Sequence, residues 1–153
     1  MSHSSTIDPS TLEVGTEIGR REHEISRDTL VRYAGASGDF NPIHYNDTVA
    51  TSVGLDGVIA HGMLTMGTAI GVVADWAGDA AAITAYSTRF TKPFPIPAEG
   101  SATLTVTAVI GAVDLEAGTV RVDLTAEAHG LKVLGRARAT VAVGAGGAAG
   151  AAA

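Results

Sequence analysis

The chain has 153 residues, 46% hydrophobic, 17% charged and 5% aromatic, which suits one domain with a core of Ala, Val, Leu and Ile and leaves no room for a second. The absence of cysteine excludes a disulfide framework, a thiolate metal site and thiol redox chemistry. A net charge of −6 with pI near 5.2 argues against non-specific nucleic-acid binding, which needs cationic surface to displace counterions from phosphates.

Residues 1–10 hold neither a basic cluster nor an apolar run, so no secretory signal is read there and a cytoplasmic location is expected. They are expected to form a flexible lead-in to a domain over residues 11–143. Residues 16–25 form a candidate first strand. Ser26 then offers a helix cap with Asp28 in the first turn, and Leu30, Tyr33 and Ala34 follow at helical spacing until Gly35 and Gly38 end the helix. Asn41 and Pro42 mark a turn, because the residue before proline is pushed out of the helical region. Asp47 can cap another short helix, stopped at Gly54.

From Gly62 to Trp76 the apolar residues fall on every face, which predicts a long helix buried all round. The apolar run MLTMGTAIGVVA inside it is shorter than the ~20 residues of a membrane span, so no span is expected. Gly67 and Gly71 stand at GxxxG spacing, read as a close approach of neighbouring backbone in preference to a dimerisation motif.

Beyond this helix the period changes from 3.6 to 2. Residues 83–91 read as a strand, Pro93, Pro95 and Pro97 as a connecting loop, and residues 101–110, 119–128 and 131–143 as three further strands, with a bulge expected at Gly135. Ala102, Leu104, Val106, Ala108 and Ile110 share one face, as do Val120, Val122, Leu124 and Ala126. The short connections at Glu116–Gly118 and at His129 and Gly130 make these strands antiparallel neighbours. The pattern is α+β: either an antiparallel sheet wrapped around the central helix, the hotdog fold, or a flatter sheet with the helix laid across it. Residues 144–153, Ala and Gly only, read as a disordered tail.

Two clusters carry chemistry. SGDFNPIHYND at 37–47 places Asp39 and His44 five residues apart in a loop that Asn41 and Pro42 can fold back on itself. A carboxylate and an imidazole make an acid/base pair at neutral pH; the same residues also read as turn caps beside an ordinary loop histidine. AHGM at 60–63 opens the central helix. There His61 reads as a ligand, a base or a hydrogen-bonded structural residue. Gly62 offers an unobstructed N–H at a helix N-terminus, suited to a carbonyl oxygen gaining negative charge, or simply fills a tight turn.

SGDFNPIHYND followed by AHGML resembles the signature of the MaoC-like hydratase/dehydratase family, a hotdog family, over roughly residues 10–143. The stretches YAGASGDFNPIH and IAHGMLTMG are most similar to its catalytic (3R)-hydroxyacyl-ACP dehydratase subunits. The resemblance implies a catalytic Asp39 and His44, a Gly62 N–H that polarises an acyl thioester carbonyl, and Asn41, Pro42 and His61 in support. It implies dehydration of 3-hydroxyacyl thioesters or hydration of enoyl thioesters, carried on ACP or CoA, with no metal or redox cofactor. It also implies a homodimer, or a heterodimer with a related hotdog subunit. Arg89, Lys92, Lys132, Arg136 and Arg138 are candidate phosphate contacts, or equally a solvated strand face. One departure stands out: some (R)-specific enoyl-CoA hydratases have serine eight residues after the AHGM glycine, where this chain has Ile70. Two rival functions remain, a hotdog acyl-CoA thioesterase and a non-catalytic acyl-binding subunit. A thioesterase typically needs a carboxylate inside the central helix, and this chain has none before Asp75.

Overall fold

The computed structural model describes residues 4–144. Strand β1 (Glu17–Ser26) leads into helix α1 (Arg27–Ser37), then a 3-10 turn (Pro42–His44), helix α2 (Asp47–Ser52) and helix α3 (Gly62–Ala77). Strands β2 (Ile83–Phe90), β3 (Ser101–Asp114), β4 (Thr119–Ala128), β5 (Leu131–Lys132) and β6 (Leu134–Ala142) complete the chain. Local chemistry sets the boundaries. Ser26 and Thr29 form a reciprocal capping box at the start of α1, and Gly38, at φ 76°, closes it in the left-handed conformation. The helix therefore runs through Gly35 and stops only at the second expected glycine.

All long strands are antiparallel, in the order β1-β3-β4-β6-β2, with β5 pairing β4. Helix α3 touches β1 and β2, the two opposite edges, as well as the three strands between them. Five strands laid flat span roughly 19 Å between their outer axes at ~4.8 Å per step, and a helix is only ~10–12 Å across. Both edges reach one helix only if the sheet curls round it. The fold is the hotdog, and the flatter alternative is ruled out.

The core forms where the periodicity placed it. Ala102, Leu104, Val106, Ala108 and Ile110 of β3 and Val120, Val122, Leu124 and Ala126 of β4 are buried, facing Ala69, Val72 and Val73 of α3. The bulge expected at Gly135 lies beside it: between Ser87↔Arg138 and Arg89↔Gly135, β6 has one residue more than β2, and Arg136 takes φ 50° to absorb it.

Three expectations need correction. Helix α3 is not buried all round, since Met63 is 58% exposed and Gly67 is exposed too. The chain's own sheet covers one side of the helix, and its apolar composition leaves the other side uncovered. The close approach expected at Gly67 and Gly71 is absent, because a Cβ at either would meet nothing within 4 Å. Finally, residues 4–10 pack on the domain: Ser5 is buried, bridges to Val143 and donates its hydroxyl to the Ala77 carbonyl at 2.6 Å. Of the expected tail, residues 145–153 lie outside the described residues.

Candidate active site

The loop bearing Asp39 and His44 is anchored on three sides. Arg27 at the start of α1 forms a two-pronged bond to the Asp47 carboxylate, at 3.1 and 2.9 Å, and donates Nε–H to the Ile96 carbonyl at 2.9 Å. Asp47 in turn accepts from the Val58 N–H at 3.0 Å. That guanidinium bond, and then the Val58 N–H, hold the Asp47 carboxyl below its ordinary range. The segment 58–60 also pairs with the proline loop, Ala60 N–H to the Phe94 carbonyl at 2.8 Å and Ile96 N–H to the Val58 carbonyl at 2.9 Å. These bonds place the residues before α3 directly beneath the 3-10 turn.

Asn41 caps that turn, its Oδ1 accepting from Ile43 N–H at 3.2 Å, while its own N–H donates to Asp39 Oδ1 at 3.2 Å. Pro42 opens the turn. His44 is buried at 7% exposure, and its Nδ1 lies 2.8 Å from the Ile59 carbonyl. A carbonyl only accepts, so Nδ1 carries the proton and Nε2 presents its lone pair. Asp39 is exposed in this single chain. Asp39, His44 and His61 each offer one ligand-type atom, and these atoms lie within 4.8 Å of one another.

His61 is 1% exposed and sets its Nε2 3.1 Å from the Asp39 backbone carbonyl, with its ring stacked on His44 at 3.8 Å and 23° from parallel. Stacked imidazoles project their lone pairs side by side instead of toward one point ~2 Å from each nitrogen, so the trio is not shaped as a metal-ligand set. Burial is the main cause holding the His61 pKa below 6.5, and the neighbouring His44 adds to it.

His44 and Gly62 share one cleft of about 370 Å³ with Ile59, Thr65, Phe90 and Lys92. Helix α3 has no side-chain cap at its N-terminus, which leaves its first N–H groups without a local side-chain acceptor, and Gly62, its first residue, lines the cleft. Gly62 does not take a positive φ, so the tight-turn reading fails. A Cβ there would instead meet the Phe90 ring at 3.0 Å. On its other side His44 walls a second, almost wholly apolar groove with Leu30, Val31, Ala34, Phe40 and Tyr45.

The candidate cations separate. Lys92 lines the His44 cleft, and Lys92, Lys132 and Arg136 share an adjoining depression. Arg89 and Arg138 line another with Arg136, away from His44, and Arg138 also lies 3.5 Å from Asp123. Ile70 packs against the core, and Asp75 is paired with Arg21. Sequence reasoning missed Tyr33, whose ring is 4.8 Å from His61, and Phe90. It also missed the Ile59 carbonyl, which as a backbone group has no signature in the sequence.

The MaoC like domain matches residues 10–128. A 3-hydroxyacyl-thioester dehydratase X of Mycobacterium tuberculosis is 43% identical over 67 residues, which is 44% of this chain and 23% of that protein. A solved MaoC-like dehydratase superposes with TM-score 0.88 at 38% identity, over 92% of this chain and 43% of its own. The chain thus spans less than half the length of these relatives. The (R)-hydratase from A. caviae involved in PHA biosynthesis shares the fold, with TM-score 0.74 at 20% identity over 88% of this chain and 98% of its own. A chain of the ChsH1-ChsH2 complex from Mycobacterium tuberculosis does so at TM-score 0.69 and 22% identity, over 84% and 94%. Among the described residues no helix is long and apolar enough to cross a membrane. With residues 10–128, most of its length, matched by the domain family, this chain belongs to the MaoC-like dehydratase family.

Proposed function

We propose that the chain is a hydro-lyase for acyl thioesters, interconverting a (3R)-3-hydroxyacyl thioester and the corresponding enoyl thioester. The observation that carries the reading is that His44 has a ligand-type atom within 4.8 Å of one on Asp39 and also lines, with Gly62, the cleft at the uncapped start of α3. In hydration, Asp39 takes a proton from water as the water oxygen bonds C3. The thioester oxygen gains negative charge, steadied by the Gly62 N–H, and C2 takes a proton from Nε2 of the His44 imidazolium. The pair then passes the proton from Asp39 back to His44. Dehydration is the reverse: neutral His44 takes the C2 proton, and protonated Asp39 gives its proton to the departing C3 hydroxyl. Asn41, donating to Asp39, and Pro42 hold the loop for this exchange.

The pantetheine arm, on CoA or on an acyl carrier protein, enters beside Lys92, with Arg136 and Lys132 adjoining to meet phosphate. Arg89 and Arg138 extend that basic strip with Arg136. The apolar groove on the far side of His44 takes the acyl chain. The uncovered side of α3 and the edge strand β2 are offered to a second hotdog subunit, identical or related. The two signature motifs resemble those of the catalytic B subunit of the mycobacterial (3R)-hydroxyacyl-ACP dehydratase of type II fatty acid synthesis, and that reaction is the one proposed here. Asp75, at the far end of α3 and roughly 20 Å from Gly62 at ~1.5 Å per residue, is out of reach as a thioesterase carboxylate.

Loss of the enoyl-thioester absorbance with crotonyl-CoA and with a longer enoyl-CoA, without release of free thiol, is the expected result. Thiol release in its place would make the chain a thioesterase. Absence of both reactions, alone and after co-expression with a related hotdog subunit, would make it a binding subunit.

A further inference from the structure

His61 takes no part in the proton transfers above, yet it touches every group that does. Its Nε2–H holds the Asp39 carbonyl, its ring lies under His44, and its own peptide carries the Gly62 N–H. We infer that His61 is a positioning residue, an Nε2–H imidazole that fixes the Asp39 backbone, the His44 ring and the Gly62 amide relative to one another. This rests on the hydro-lyase reading of the same site.

The residue's place in the helix makes the point sharper. His61 occupies the N-cap of α3, where Ser, Thr, Asp or Asn would normally satisfy the first N–H groups. It makes no capping bond. Its side chain turns away from its own helix toward Asp39, so capping does not explain a histidine there, and the first-turn amides stay available to a ligand. An imidazole combines an N–H for the carbonyl with a flat face for His44, in a ring smaller than indole and, unlike guanidinium, able to be uncharged. Phenylalanine keeps the face and loses the donor, and glutamine does the reverse.

Neutrality follows from the surroundings. The groups facing His61 are His44 on the 3-10 turn, Asp39 on the loop and Tyr33 on α1. With Nε2–H engaged, Nδ1 is a buried acceptor with no partner among the described residues. Protonation would turn it into a buried donor, equally unpartnered, and set a charge against the His44 ring.

The test uses the whole chain and crotonyl-CoA hydration. In His61→Phe, kcat per folded molecule is expected to fall by about 10- to 100-fold, the scale of an ångström-level misplacement. KM should stay within about two-fold, because the groups displaced act in the transition state. His61→Gln should recover part of that loss by restoring the donor. A packing role alone would lower the melting temperature while leaving kcat per folded molecule at the parent value, and that result overturns the inference. So does a Gln variant no better than the Phe variant.

Imidazole nitrogen shifts of the unsubstituted protein test the same point without any variant or activity. The expected tautomers are Nε2–H at His61 and Nδ1–H at His44. A charged His61 ring at neutral pH, or its Nδ1–H tautomer, overturns the inference even if the variants do not fold. Should the parent chain hydrate no enoyl thioester, the functional reading fails while these shifts still decide the state of His61.

Discussion

Gly62 lies so close to Phe90 that a methyl group on it would stand 3.0 Å from two carbons of the ring. The contact spans the cleft, between the start of α3 and the end of β2. Phe90 is 54% exposed, so its ring can yield and the fold survives a small side chain. Gly62→Ala is therefore expected to keep its secondary structure and lose about 10- to 100-fold in kcat through displacement of the cleft wall. Adding Phe90→Leu should recover part of the loss; no recovery would mean that the glycine matters for another reason.

Asp39→Asn and His44→Gln are each expected to lower the hydration rate by about 10²- to 10⁴-fold, the usual contribution of a positioned acid or base. Asp39→Asn retains an acceptor for the Asn41 N–H, so circular dichroism and melting should change little. Full activity in either variant would remove the proposed proton transfers.

Val31 is 61% exposed and lines the apolar groove beyond His44. A charge there costs little folding energy but opposes an acyl chain lying in the groove. Val31→Glu should reduce kcat/KM for a long enoyl-CoA by about ten-fold or more, equivalent to ~1.4 kcal/mol, and leave crotonyl-CoA nearly untouched. Equal loss on both substrates would place the acyl chain elsewhere.

Acid should weaken the fold ahead of the carboxylate range. Burial lowers the pKa of both His61 and His23 from 6.5, so the native state favours their neutral forms while the unfolded chain protonates near the ordinary value. The unfolded state then binds more protons, and the stabilisation, complete above about pH 7, is lost as pH falls below 6.5 toward the folded-state values. Melting temperatures measured from about pH 7.5 down to pH 5 should fall. They should fall less in His61→Gln, and an identical slope in that variant would show that His61 does not titrate in this window.

Burial pushes the Tyr86 hydroxyl up to about 12, and the group donates to the Met66 carbonyl at 3.1 Å, tying edge strand β2 to the middle of α3. Tyr86→Phe is expected to cost about 1 kcal/mol, the net worth of one such bond, read as a lower denaturant midpoint at unchanged slope. A changed slope would mean that β2 comes away from the helix as a unit.

The legible parts of this protein were those written in local patterns. Alternation along residues 101–128 gave the buried faces of β3 and β4, and the Ser26 cap and Gly38 stop gave α1. The loop spacing of Asp39, Asn41, Pro42 and His44 marked the candidate site because an Asx turn is made within a few residues. What failed were the expectations that α3 is buried on every face and that its glycines meet neighbouring backbone. Hydropathy reports that a face is apolar and not which chain covers it, so Met63 and the Gly67 side were assigned to the interior.

By itself, then, the sequence determined the strands, the central helix and the two clusters of reactive residues, since each depends on contacts within a few positions of chain. Tertiary structure alone decided that the Ile59 carbonyl fixes the His44 tautomer, that His61 bonds the Asp39 backbone and that Phe90 closes on Gly62. These pairs are 15, 22 and 28 residues apart, brought together by a sheet curled around one helix. Contacts at that separation depend on the curvature of the whole sheet, which no local pattern encodes.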